Sequence, residues 1–230
     1  LIWQTEIGIE SQRRFCKFFV GLSHSRFNRR ARMLLPLIRC IRQAWNQEVK
    51  TAGEFLIIDS FPVPVCQPVC NYRVKIFRGV ADIGYKATKK VYYYGFKVHA
   101  IVSDDGYLLD YAVTKASVHD AKETVELMIN AHPANHYLLG DEGYLSKNLA
   151  TNLKHMGYVL WTPYRKNMQG ARRHNDHQLM AIRRSIESDF SLLSYYNAEN
   201  NRARSPVGFQ QRLEIAILAY NMAYCLERFN

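Results

Sequence analysis

Phe55-Leu56-Ile57-Ile58-Asp59-Ser60-Phe61-Pro62 is the stretch that decides the fold. Its first four residues form an unbroken apolar run, which suits a central strand covered on both faces rather than one with a wet side. Asp59 stands at the C-terminal end of that run, and Pro62 is expected to stop the strand. Downstream, a looser stretch with Gly79, Gly84, Lys86, Lys89 and Lys90 leads to Val91–Val102, then Asp104-Asp105-Gly106, then Tyr107–Thr114. Phe96, Val98, Ala100 and Val102 alternate with Lys97 and His99, and Asp-Gly is a strong hairpin signal. The core is therefore expected to open with three strands, the last two a hairpin.

Helices and strands alternate thereafter. Asp120 through Asn130 carries Ala121, Val125, Met128 and Ile129 at helical spacing, with Asp120 as its N-cap. Tyr137-Leu138-Leu139 is a short buried strand running into Gly140-Asp141. Ser146 caps a helix bearing Leu149, Leu153 and Met156, stopped by Gly157, and Tyr158 through Thr162 reads as a fifth strand. Residues 165 to 178 are polar and basic and read as a mobile loop. Two helices close the chain, one through Ile182, Ile186, Phe190 and Leu193, the other from Pro206 through Phe209, Leu213, Ile217 and Tyr220. The order predicts an α/β protein with a mixed five-stranded sheet flanked by helices.

Upstream, residues 1–50 read as a small helical region. Ser23 or Ser25 can cap a segment through Phe27, Leu34 and Leu35, and Pro36 starts or kinks a second piece with Leu37, Ile38, Ile41 and Trp45. Arg26, Arg29, Arg30 and Arg32 stud its first turns, as in a DNA-contacting helix; a basic amphipathic helix packed on the body accounts for the same residues. The chain thus divides into a basic helical region, 1–50, and an α/β body, 51–230. It begins with Leu rather than Met, so the N-terminal region is expected to be incomplete.

The 230 residues carry 31 Lys/Arg against 20 Asp/Glu, a net charge of +11, with 48% hydrophobic residues, which suffices for a core and excludes disorder of the whole chain. No apolar run reaches the ~18–20 residues of a membrane helix and no signal peptide stands at the start, so a soluble, cytoplasmic protein is expected. Five scattered Cys argue against a disulfide framework. The charge is uneven: residues 1–50 hold ten Lys/Arg and three Asp/Glu, whereas residues 101–150 hold three and eight. Basic parts attract polyanions, while concentrated carboxylates repel one another unless a cation sits among them.

Asp59 and Asp141 each follow an apolar strand directly, so neighbouring strands would bring both to one sheet edge, where sites in α/β sheets collect. Glu187 lies ~100° from the inward Ile186 on its helix and reaches that edge, whereas Asp189 points elsewhere. Arg183, one turn before Glu187, either pairs with it or holds a phosphate. Three carboxylates without convergent Cys or His suit Mg²⁺ or Mn²⁺. Zinc is disfavoured, because Cys66 and Cys70 have no second pair and His99 or His119 would have to join by chance. Two such ions would serve an in-line phosphoryl transfer on nucleic acid.

The segments FLIIDSFPVPVC, VTKASVHD, LLGDEGY and RRSIESDF, with LSHSRFNRRAR near the start, resemble bacterial insertion-sequence DDE transposases, especially insertion sequence family 982. The resemblance spans about residues 20 to 225 and implies a ribonuclease-H-like fold with Asp59, Asp141 and Glu187 as a converging catalytic and metal-binding triad for one or, more fully, two ions. It implies DNA cleavage and strand transfer, with double-stranded DNA, both terminal inverted repeats and target, as partner of a homodimer in a nucleoid-associated protein. A catalytically silent DNA-binding fragment and a nuclease without strand transfer are the alternatives. DNA contacts are expected from Arg26, Arg29, Arg30, Arg32, Lys86, Lys89, Lys90, Arg165, Lys166, Arg172, Arg173 and Arg183. In the related pattern Y-x2-R-x3-E-x6-K, Arg183 and Glu187 match, while Met180 and Ser194 occupy the outer positions. His119-Asp120 matches a recurrent pair of these enzymes.

Overall fold

The computed structural model describes residues 23–49, 53–66, 73–86 and 90–228. Lys89 and Cys70 lie outside the described residues. Two helices, α1 (His24–Met33) and α2 (Leu35–Glu48), precede the strands β1 (Phe55–Cys66), β2 (Asp82–Lys86), β3 (Val91–Ser103) and β4 (Leu108–Lys115). Then come α3 (Asp120–Ala131), β5 (Tyr137–Leu139), a 3₁₀ turn (Glu142–Tyr144), α4 (Lys147–His155), β6 (Val159–Trp161), α5 (Ala171–His174), α6 (His177–Tyr195) and α7 (Pro206–Arg228). Among the described residues no helix is long and apolar enough to cross a membrane.

The sheet runs β2-β3-β1-β5-β6, with β4 also on β3. β3 lies antiparallel to β1 along one edge, and its other edge is shared by β2, opposite Val91–Gly95, and β4, opposite Phe96–Val102. β5 and β6 add in parallel. This is the mixed, ribonuclease-H-like α/β arrangement expected, with six strands instead of five. The added strand, β2, carries Gly84 at its centre and exposes Ile83 and Tyr85, so no alternation marks it. Gly84 is required there: a Cβ would lie 2.7 Å from the Ala116 carbonyl oxygen.

Both faces of the sheet are covered, as the apolar run in β1 requires. Ile57, Phe61 and Val63 join Phe96, Val98 and Ala100 of β3 under α6 and α7, through Ile186, Leu193, Phe209, Leu213 and Ile217. Leu56 and Ile58 join Ile101 and Leu138 under α3 and α4, through Leu127, Met128, Leu149 and Leu153. Each wholly buried Leu or Ile contributes roughly 1.5–3 kcal/mol of transfer free energy. In α3, Leu127 takes the inward place, and Ile129 is exposed instead of facing the core. The N-cap of α3 is His119, not Asp120.

β1 does not stop at Pro62. It pairs with β3 through Pro62↔Lys97 and Pro64↔Gly95 to Cys66, because β5 covers its other edge only from Phe55 to Ile57. Beyond Ile57 that edge is uncovered by any described strand, and proline's missing N–H costs nothing there. The Ser60 amide, of the same parity as the two prolines, turns away from β3 and donates to Asp59 Oδ1 at 2.7 Å. A bulge after Pro64 presses on Gly95, where a Cβ would meet the Val63 carbonyl oxygen at 2.3 Å.

The N-terminal helices begin as expected, with Ser23 capping α1 and Pro36 in the first turn of α2. α2 is docked on the body. Buried Arg42 donates to Glu214 of α7 at 2.6 Å and to Asp110 of β4 at 3.1 Å, and its guanidinium lies over the Tyr111 ring. Trp45 Nε1 donates to Cys225 Sγ at 3.3 Å. The stretch 165–178, expected as a mobile loop, contains α5 and is tied down. His174 stacks on Tyr164 with ring centroids 3.7 Å apart, and Asn175 exchanges hydrogen bonds with the Tyr164 backbone at 2.7 and 2.9 Å.

Candidate active site

Parallel pairing sets the two aspartates level. Ile57 stands opposite Leu139, and Asp59 and Asp141 each lie two residues further along. Asp59 therefore lies within β1, beside the edge that β5 leaves open, rather than at the strand's end. Asp141 follows β5 in an extended conformation and caps the 3₁₀ turn, its Oδ1 accepting from the Gly143 amide at 2.8 Å. That turn carries Glu142 out to solvent, away from the edge.

Helix α6 crosses the same face as Asp59. Its inward residues, Ile186 and Leu193, fix the rotation that aims Arg183 at the sheet. Arg183 Nη2 donates to Asp59 Oδ2 at 2.7 Å, and Nη1 reaches Glu187 Oε1 at 3.4 Å. One guanidinium thus links two of the three carboxylates. Glu187 is the outer member, its side chain 66% exposed against 17% for Asp59. Asp189 turns away as expected, is buried, and accepts from Tyr220 at 3.0 Å.

Asp59 is the perturbed group. Burial pushes its carboxyl from the ordinary 3.8 up to about 7, against the opposing pull of Arg183 and the Ser60 amide, and Asp141 and Asp120 push the same way as burial. Asp120 joins from the first turn of α3: its Oδ1 accepts from Ser60 Oγ at 2.7 Å and from Lys97 Nζ at 3.0 Å. His99, wholly buried, lies 3.8 Å from the same oxygen. Sequence reasoning passed over Ser60, Lys97 and Tyr144 and took Asp120 for a cap. The available signal was polar Lys97 and His99 in a strand that both faces cover.

Among the described residues no group of three His, Cys, Asp or Glu stands close enough to hold a metal ion. The donor chemistry nevertheless fits a hard cation. The carboxylates offer oxygens only, and the Tyr144 hydroxyl, an oxygen that can accept as well as donate, is buried without a partner among the described residues.

The expected DNA-contacting residues are spread more widely. Arg26, Arg29, Arg30 and Arg32 lie on α1, all exposed. Lys86 ends β2 and pairs with Glu199 at 3.5 Å. Lys90 is exposed in the turn before β3, Arg165 and Lys166 are exposed before α5, and Arg172 and Arg173 are exposed on it. Among the described members of the set, only Arg183 meets the three candidate carboxylates.

Residues 50–206, more than half of the chain, match the family described as transposase DDE domain. No curated protein matches the chain by sequence. Among solved structures, the catalytic core domain of BIV integrase aligns over 77% of this chain and 97% of its own, at 9% identity and TM-score 0.44. The piggyBac transposase synaptic complex with hairpin DNA aligns over 75% of this chain at 12% identity and TM-score 0.45, and this chain spans 48% of that one. The catalytic domain of Mos1 mariner transposase aligns over 89% of this chain and 96% of its own, at 10% identity and TM-score 0.31.

Proposed function

The chain belongs to the transposase DDE domain family, and on that premise we propose that it cleaves DNA at element ends and transfers strands by in-line phosphoryl transfer, with Asp59, Asp141 and Glu187 as its catalytic carboxylates. The observation that carries this reading is the level emergence of Asp59 and Asp141 at an open strand edge, with Arg183 joining Asp59 to Glu187. All three carboxylates lie inside the matched stretch.

Asp59, Asp141 and Glu187 are the residues that would hold Mg²⁺ or Mn²⁺, as one ion or as a pair. A divalent cation there supplies Lewis acidity, activating a water or 3′-hydroxyl and easing departure of the leaving oxygen. The chain's own groups do the remaining work. Arg183 offers a planar fork of donors suited to a phosphate, at the cost of releasing Asp59 and Glu187. The Ser60 amide holds Asp59 Oδ1 in place. The exposed arginines of α1 and α5 supply a positive surface for the DNA backbone. Terminal inverted repeats and target DNA are the partners under this reading, bridged by two copies of the chain, and the motifs quoted above favour insertion sequence family 982.

A cleavage and strand-transfer assay on candidate inverted repeats, with Mg²⁺, Mn²⁺ and chelator arms, tests the reading. Asp59→Asn, Asp141→Asn and Glu187→Gln are each expected to lower cleavage by about a thousandfold, roughly 4 kcal/mol on the barrier, with DNA binding retained. Cleavage that survives one substitution removes that residue from the triad. Cleavage without strand transfer identifies a nuclease, and binding without either reaction a silent DNA-binding protein.

A further inference from the structure

Tyr144 has no exposed surface, and its hydroxyl has no hydrogen-bond partner among the described residues. Its ring alone accounts for the packing. It lies in the core beneath α3 and α4 and presses on Gly140, where a Cβ would come within 3.0–3.2 Å of Tyr144 Cβ, Cγ and Cδ2. A phenylalanine would make the same contacts. Folding therefore gains nothing from this hydroxyl and loses the water it gave up. A locally unfavourable group amid otherwise consistent packing marks a functional position.

The surroundings say what the hydroxyl waits for. Tyr144 closes the 3₁₀ turn that Asp141 caps, and burial first, then the charges of Asp59, Asp120 and Asp141, disfavour its ionised form, with Arg183 opposing them. Asp141 and Asp120 flank Gly143, where a Cβ would stand 2.9 Å from Asp141 Oδ1 and 3.7 Å from Asp120 Oδ2. Three carboxylates outnumber the two cations at this edge, the Arg183 guanidinium and the Lys97 ammonium 3.0 Å from Asp120, which leaves a place for a further cation. A small divalent cation sheds its water reluctantly and arrives partly hydrated. A phenol both accepts and donates, so it can take a hydrogen bond from such a water and give one to a carboxylate.

We propose that the Tyr144 hydroxyl is a positioning group for a hydrated divalent cation at this edge, bridging the cation's water to one of the three aspartates. The inference rests on the reading of Asp59 and Asp141 as cation ligands. Partners of this outer kind orient the ligands and typically change metal affinity by about 10–100-fold when removed.

Tyr144→Phe in the full chain deletes the hydroxyl and keeps the ring. Mn²⁺ affinity, followed by the electron paramagnetic resonance signal of free Mn²⁺, is expected to fall about tenfold. The thermal midpoint without metal is expected to equal or exceed that of the unsubstituted chain, a combination that a purely structural tyrosine does not give. Unchanged Mn²⁺ affinity in Tyr144→Phe, alongside loss of binding in Asp59→Asn and Asp141→Asn, overturns the role of Tyr144 and leaves the carboxylates standing. A lowered metal-free midpoint overturns it as well, since the hydroxyl then has a structural partner. An unsubstituted chain that binds Mn²⁺ no better than Asp59→Asn overturns the carboxylate reading itself, and the role of Tyr144 with it.

Discussion

His99 is enclosed in β3, its Nε2 against Thr114 Oγ1 at 2.9 Å and its Nδ1 without a hydrogen-bond partner. Burial pulls its pKa from the ordinary 6.5 down to about 4, with Lys97 acting in the same direction and Asp120 against it. Between those two values the unfolded chain binds the proton and the folded chain does not, so stability falls as pH drops from about 6.5 to 4. The loss attributable to this ring is on the order of 1–3 kcal/mol. His99→Gln is expected to flatten the dependence of the thermal midpoint on pH across that window. An unaltered slope would mean that other groups carry the acid sensitivity.

At the scale of elements, α2 is held by charge as much as by apolar contact. Arg42 is 5% exposed and Glu214 not at all, and Tyr111 donates its hydroxyl to the same glutamate. Arg42→Ala leaves Glu214 buried with only the partly exposed Arg39, 3.9 Å away, as its cation, which costs about 3 kcal/mol. Urea unfolding is expected to record a loss of that size, with α2 becoming the first site of limited proteolysis. A loss below about 1 kcal/mol would show that the apolar seam around Trp45 suffices. From sequence alone Arg42 is one more basic residue in a basic region, because its partners lie 68 and 172 residues away. The core strands, the Asp104–Gly106 hairpin and the inward stripe of α6 were legible, since apolar pattern and turn chemistry are local signals. The full run of β1 was not, because whether a proline ends a strand depends on what lies at its edge. The frame of the candidate site divides in the same way. Asp59 and Asp141 stand out by following apolar runs, and Arg183 by its spacing from Glu187. Tyr144, Lys97 and Asp120 acquire their surroundings only from the topology that brings β1, β3, β5 and α3 together.

Over the whole molecule, the net charge of +11 resolves into exposed arginines on α1 and α5 and an inward-turned acidic edge. A duplex bound through several phosphates loses affinity steeply with salt, at about 0.9 log units per contact for each tenfold rise. Replacing Arg26, Arg29 and Arg30 together by Ala is expected to lower that slope by about 2–3, read by fluorescence anisotropy over a salt series. An unchanged slope would take α1 out of the DNA footprint. The open length of β1 bears on how molecules meet one another. An uncovered strand edge is a template on which a neighbour's strand can add, yet here Pro62 and Pro64 remove two of its donors and Asp59 occupies a third, the Ser60 amide. The edge beside the acidic residues is thus kept from becoming a seed for fibrils. Pro62→Val with Pro64→Val restores the ladder's donors, and light scattering is expected to show concentration-dependent aggregation that the unsubstituted chain resists; equal scattering from both would assign the protection to the neighbouring charges instead.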